Sequence, residues 1–276
     1  MTKRPEPPIV TLTTDFGLAD PYVAAMKGVL LERAPGVTIV DVSHDVRPQR
    51  IEQAVFITQS AWPYFPDGAV HVAVVDPGVG GDRLALALVT PRSSYVGPDN
   101  GVLSSALPDD ARPRAGASPV SLPDGYRAFA IANERILRAP VSATFHGRDV
   151  FAPAAAHLAL GLPAEELGAP LDVVVALPPL RARNEPDGSL RARIVHVDRF
   201  GNAVTDARAA DLPPGALVVE VAGHQIAGPV PTYAEARGPA ALVGSAGYLE
   251  LALPGASAAA ELGIEVGDEA LVRPRR

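Results

Sequence analysis

Apolar and polar positions follow two different rhythms along this chain, and the change falls near residue 175. Over residues 8–160, strand-like and helix-like signals alternate. PIVTLTT reads as a buried strand ending at Asp15. Asp20 and Pro21 then supply an N-cap and a proline for the first helical position. Val23, Met26 and Leu30 recur at helical spacing as far as Ala34, and the Pro35-Gly36 pair stops the helix. VTIVDV is a second strand and SHDVRPQR a loop. IEQAVFITQSAW is a second helix, with Ile51, Val55, Ile57 and Thr58 near one face. AVHVAVV and LALALV are further strands, Pro98 to Gly101 a turn, and YRAFAIA another strand. DVFAPAAAHLALG is a helix closed by Gly161. This alternation predicts an α/β layer with a largely parallel sheet.

Beyond residue 175 the helical rhythm nearly disappears. LPPLRARNEPDGS is rich in proline and charge and reads as a linker. LRARIVHV, NAVTDA, ALVVEV, HQIAG, ALVGS, YLELAL and EALVRP follow as short strands separated by Gly, Pro and Asp turns, with one short helix at about 256–262. The expectation is an N-terminal α/β domain with a mostly parallel sheet over residues 1–178 and a linker over 179–189. A smaller C-terminal all-β domain, a barrel or a sandwich, takes residues 190–276.

Composition narrows the function. The 276 residues are 47% hydrophobic and 20% charged, as expected of a globular, soluble chain. A net charge of −7 with no basic stripe argues against a nucleic-acid binder. The absence of cysteine excludes disulfides, thiolate catalysis and Cys-type zinc sites. No apolar run approaches membrane-spanning length, MTKRPEPPIV has no apolar signal core, and a cytoplasmic location is expected. Lys3 and Lys27 are the only lysines. Such arginine-for-lysine usage, with abundant Ala and Pro, suggests a GC-rich bacterial genome.

Five polar islands interrupt the apolar background: TTDFG (13–17), DPGVGGDR (76–83), TFHGRD (144–149), DRFGN (198–202) and GSAGY (244–248). The first two end strands and the third opens a helix, so these three can meet at one edge of one sheet, where α/β proteins bind ligands. Asp15 is placed to accept two hydrogen bonds from a vicinal diol such as a ribose, or simply to brace a loop. Asp76 precedes glycines that let backbone approach a ligand closely, although Asp-Pro-Gly is also ordinary turn vocabulary. Arg83 is a candidate partner that would fix the Asp76 carboxylate. His146 has an imidazole suited to proton handling near neutral pH. His71 and His196 fall within strands, His157 on a helix and His224 in a turn. His44, in SHDV, is a second loop candidate. Phosphate-loop, dinucleotide and HExxH motifs are absent. Asp15, Asp76, His44 and His146 have no metal-ligand spacing, so neither a metal nor another cofactor is expected.

The fragments TLTTDFGLADPYVAAMKGVL, DVSHDV, VVDPGVGGDR, VGPDNGVLS, TFHGRDVFAPAAAHLA, VDRFGNAVTD and GSAGYLELAL, in that order, resemble the S-adenosyl-L-methionine (SAM) hydroxide adenosyltransferases, or adenosine-forming SAM hydrolases. These are relatives of the fluorinase and chlorinase. The resemblance runs through nearly the whole chain. It implies an α/β domain followed by a β-barrel, and a homotrimer with small-molecule sites at subunit interfaces. It further implies water activation by Asp76, Arg83 and His146 and ribose binding by Asp15. Contacts to adenine and the methionine moiety fall on Asp198, Asn202, Ser245 and Tyr248. Where halide-using relatives carry Tyr-Pro, this chain has Asp76-Pro77, and Arg47-Pro48-Gln49 replaces a loop bearing Trp.

The implied reaction is attack of water or hydroxide on C5′ of SAM, giving adenosine and L-methionine. An anionic Asp76 would repel a halide, which favours water. The expected arrangement has Asp76 and His146 sharing the water while Arg83 orients it, with the proton acceptor left open between the acid and the imidazole. The alternatives are a SAM-dependent, chlorinase-like halogenase, and a nucleoside- or SAM-binding sensor without turnover.

Overall fold

The computed structural model describes residues 6–275, which form two compact units that divide between Pro179 and Leu180. In the first unit the chain runs β1 (Ile9–Thr14), α1 (Tyr22–Arg33), β2 (Thr38–Ser43), α2 (Ile51–Ala61), β3 (Val70–Val74), β4 (Ala85–Val89), β5 (Ser94–Pro98), β6 (Ser118–Ser121) and β7 (Arg127–Ala130). It ends with α3 (Ala152–Ala159), β8 (Pro170–Leu171) and β9 (Val173–Ala176). Seven of these strands form one sheet in the order β2-β1-β3-β5-β4-β7-β8, and β6 pairs with β9 separately. The pairs of β1 with β2, β1 with β3 and β3 with β5 are parallel, whereas β4 runs antiparallel between β5 and β7. Five of the seven strands thus point the same way, and β4 and β8 oppose them. The sequence predicts only a turn at Pro98 to Gly101, but Ser94–Pro98 form β5, the central strand of the seven.

Every residue of β3 is buried, as expected of a strand covered on both faces. Val70, Val72 and Val74 join Met26 and Leu30 of α1 and the alanines of α3 in one core cluster. Ala73 and Val75 face the other way, with Ala54 of α2, Trp62 and Tyr95. Period-two alternation thus feeds two helical layers from one strand. Helix α1 begins one residue later than predicted: Pro21 is its N-cap, with no side-chain cap, so Asp20 lies outside the helix. A single π-type turn, Gly147–Phe151, precedes α3.

The second unit contains β10 (Arg183–Asn184), β11 (Leu190–Val197), β12 (Ala203–Arg208), β13 (Leu217–Val221), β14 (His224–Gly228), β15 (Ala240–Val243), β16 (Tyr248–Ala252), α4 (Ala258–Leu262) and β17 (Glu269–Pro274). Strands β11-β12-β16-β15-β14-β13-β17 close into a seven-stranded barrel through pairing of β17 with β11. Closure decides for a barrel over a sandwich and removes the free sheet edges. Leu190, Ala192, Ile194, Val219, Leu249, Leu251 and Val272 fill the interior. The segment 180–189, read from sequence within the linker, folds with this unit. Leu180 and Ala182 are buried, Arg181 pairs with Asp211 at 2.7 Å, and β10 extends the sheet from β11. No helix among the described residues is long and apolar enough to cross a membrane.

Leu249 is fully buried in the barrel. Leu249→Ala is expected to destabilise the second unit by about 2–5 kcal/mol, read as a lower denaturant midpoint. An unchanged midpoint would contradict the packed-barrel description.

Candidate active site

The parallel pairing of β1 with β3 brings their carboxyl ends side by side, with Asp15 just beyond one and Asp76 just beyond the other. After Asp76 the chain turns tightly, with Val79 N–H donating to the Asp76 carbonyl at 3.2 Å and Gly81 N–H to the Gly78 carbonyl at 3.0 Å. Gly80 adopts φ +77°, and a Cβ there would collide with the Ala143 carbonyl. The glycine therefore lets this loop close onto the segment carrying Thr144, Phe145 and His146.

The turn returns Arg83 to Asp76. Arg83 Nε donates to Asp76 Oδ1 at 2.9 Å, and Arg83 Nη2 pairs with Asp76 Oδ2. The same Nη2 donates to His146 Nδ1 at 2.7 Å. The Asp76 and Arg83 side chains are 5% and 11% exposed, and the guanidinium lies 5.5 Å from the centroid of Phe151. Arginine has no acceptor atom, so this contact requires an unprotonated His146 Nδ1 and places the neutral ring's proton on Nε2. Burial and the neighbouring Arg83 charge hold the His146 pKa below its usual value, against the opposing pull of Asp76 and Asp149.

Asp15, Phe16, Tyr22, Gln49, Asp76 and Phe145 line a cavity of about 390 Å³. Of the Asp76, Arg83 and His146 set, only Asp76 is among its lining residues; Arg83 bonds the acid, and His146 bonds Arg83. Asp15 Oδ2 accepts from Gln49 N–H at 2.8 Å. Burial raises the Asp15 pKa and the Asp76 charge adds to the rise, while the Gln49 bond opposes it. Phe16, Tyr22 and Phe145 meet edge to face, with centroids 5.2–6.1 Å apart. Asp149 is fully buried beneath this wall, where Ser142 N–H donates to its Oδ2 at 3.0 Å and Arg148 to both oxygens at 2.7 Å. It therefore braces the loop that delivers His146.

Two other histidines have structural partners. His71 stacks between Trp62 and Tyr95 in the core, and burial, with Arg92 adding, lowers its pKa to about 3. His157 bonds the Pro163 carbonyl at 2.9 Å. No three His, Asp or Glu side chains are grouped as a metal site would require among the described residues.

In the second unit, Asp198 organises the DRFGN turn. Its Oδ1 accepts from Phe200 N–H at 2.9 Å and Asn202 N–H at 2.8 Å, and its Oδ2 accepts from Asn202 Nδ2 at 2.9 Å. Ser245 is exposed in the turn from Gly244 to Gly247, and Tyr248 is buried at the start of β16. Sequence reasoning missed Glu250. It lies between the inward-facing Leu249 and Leu251, yet it is only 7% exposed and accepts from the Tyr233 hydroxyl. Burial raises its pKa, and the Asp198 charge adds to the rise while the Tyr233 bond opposes it. A glutamate at an outward position of an otherwise apolar strand was the available signal. A Cβ on Gly244 would strike the Glu250 carboxylate, so the glycine makes room for it. A wider groove of about 500 Å³, lined by Arg191, Glu220, His224 and Glu269 among others, holds none of the expected site residues.

Comparison with known proteins accords with this geometry. The family model for the SAM hydroxide adenosyltransferase N-terminal domain matches residues 10–168, and that for the C-terminal domain matches residues 192–271. A Thermus thermophilus protein named (R)-S-adenosyl-L-methionine hydrolase is 45% identical, over 94% of this chain and 96% of its own length. One of the same name from Salinispora arenicola is 40% identical, over 95% and 96%. A fluorinase from Actinoplanes sp. is 26% identical, over 94% and 95%. The crystal structure of an uncharacterized conserved protein from Thermotoga maritima superposes with a TM-score of 0.83 at 29% identity, covering 96% of this chain and all of that one. With both family models matched in order and hydrolase-named relatives aligned nearly end to end, the chain belongs to the SAM hydroxide adenosyltransferase family.

Proposed function

We propose that this protein hydrolyses S-adenosyl-L-methionine to adenosine and L-methionine. The observation that carries the reading is the Asp76 carboxylate, which lines the cavity with Asp15 and is fixed by Arg83, itself bonded to His146. Water attacks C5′, the C5′–O bond forms, and the C5′–S bond breaks with its electron pair going to sulfur. The leaving group is a neutral thioether, so no general acid is needed. The attacking water becomes strongly acidic as it bonds to carbon, so a weak base is sufficient. Asp76, with a lone pair on each oxygen not used by Arg83, takes that proton. Arg83 fixes the carboxylate and balances its charge, and neutral His146 fixes Arg83 through Nδ1. This refines the arrangement expected from sequence: the imidazole supports the acid through Arg83, and the acid is the group that meets the water. Asp15 receives the ribose diol, and Asp198, Asn202, Ser245 and Tyr248 serve adenine and the methionine moiety. An anionic Asp76 at this position also disfavours halide as the nucleophile.

The same reading includes a homotrimer, each ligand being held by the first unit of one subunit and the second unit of the next. The exposed apolar side chains Leu18, Tyr64 and Phe200 support burial on assembly. Sedimentation is expected to give a mass of three 28.6 kDa chains; a monomer at micromolar concentration would remove that element.

Asp76→Asn and His146→Ala are expected to abolish adenosine release while leaving substrate affinity within about tenfold. Chromatography of wild-type reactions run with added chloride should show adenosine and methionine without a 5′-halonucleoside. A halonucleoside as main product supports the halogenase reading, and no product with excess enzyme supports a sensor. Protonating His146 at Nδ1 would set an N–H against Arg83, so the neutral ring is the active form. Because its pKa is depressed, kcat/KM should hold steady near neutrality and fall on acidification only below pH 6.5. A limb centred above pH 7 would contradict this role.

A further inference from the structure

His44 is 5% exposed, lies outside the cavity lining and takes no part in the chemistry above, yet its loop touches the Asp15 turn at three points. Its Nδ1 lies 2.8 Å from the Thr14 hydroxyl, one residue before Asp15. Its carbonyl accepts from Gly17 N–H at 2.8 Å, two residues after Asp15. Five residues on, Gln49 N–H donates to Asp15 Oδ2 itself at 2.8 Å. The far side of the ring meets a carboxylate within ion-pair distance, outside hydrogen-bond geometry. His44 Nε2 faces Asp41 Oδ1 at 3.0 Å, and Asp41 Oδ2 holds Lys27, from α1, at 2.5 Å.

The donors and acceptors fit one direction. A carboxylate facing Nε2 places the ring proton there and leaves the Nδ1 lone pair to accept from the Thr14 hydroxyl. That hydroxyl oxygen in turn accepts from Phe16 N–H at 3.3 Å. The backbone on both sides of Asp15 is therefore fixed by one buried ring, and the carboxylate by the loop that follows the ring. We propose that His44 is a positioning residue for diol recognition: it holds the turn of Thr14, Asp15, Phe16 and Gly17 so that the Asp15 carboxylate meets the ribose hydroxyls. This rests on the reading of Asp15 as the ribose-binding acid.

The test compares affinities of the full-length protein for adenosine and for 2′,3′-dideoxyadenosine, which lacks the diol, by calorimetry. The wild type is expected to favour adenosine by about tenfold or more, and Asp15→Ala to abolish that preference. His44→Ala should weaken adenosine about tenfold while leaving the dideoxy ligand within about twofold. Thr14→Val, which removes the same bond without touching the ring, should do likewise. His44→Asn, whose amide oxygen can accept from Thr14 in place of Nδ1, should restore most of the preference. The double variant of Asp15→Ala with His44→Ala should lose no more than Asp15→Ala alone. If Asp15→Ala abolishes the preference while His44→Ala and Thr14→Val retain it, or weaken both ligands alike, the positioning role is wrong and the ribose reading stands. If Asp15→Ala keeps the preference, the ribose reading fails and the positioning role fails with it.

Discussion

The site depends on one largely enclosed guanidinium. Arg83 bonds the Asp76 carboxylate through two nitrogens and His146 through one of the same two, and the Asp76 and Arg83 side chains are largely enclosed. Removing either partner would leave the other largely enclosed and without its counter-charge. Several features of the first unit serve this contact. The glycines after Asp76 fold the chain back within seven residues, Gly80 lets the loop approach the Ala143 carbonyl, and the π-type turn ahead of α3 presents His146.

The same contact separates the chemical roles. Arg83 can only donate, so it fixes the imidazole tautomer on one side and the carboxylate orientation on the other. The cavity is left with an acid whose direction is set by groups that do not line it. A sulfonium substrate suits such a site, because the charge lost at sulfur needs no acid to replace it. What the reaction lacks in water is a fixed nucleophile aligned with C5′, and positioning supplies that.

Asp15 shows the complementary strategy. Asp76 is held by a charged partner, whereas Asp15 is held by main chain and by neutral hydrogen bonds from the neighbouring loop. Burial raises its pKa, and the Asp76 charge adds to the rise. In the barrel, Glu250 is likewise raised by burial, with Tyr233 as its bonded partner.

Much of this was legible in the chain. Runs of β-formers ending in Asp15 and Asp76 located both acids at strand ends, and the seven barrel strands could be read from their alternation. Side-chain period reports which face a residue takes, so burial patterns were readable. It does not report which strand lies alongside, and for that reason the reversal of β4, the insertion of β5 and the closure of β17 onto β11 came only from the structure. For the same reason the segment 180–189 read as a linker: its proline and charge masked Leu180 and Ala182, whose burial depends on the barrel built after them. The sequence by itself determined the inventory of chemical groups and the ends of strands on which they sit. Tertiary structure alone decided that Arg83 stands between Asp76 and His146, that Glu250 is buried, and that His44 turns inward onto Thr14. Those outcomes depend on distances between loops far apart in the chain, set by the packing of the whole sheet and barrel.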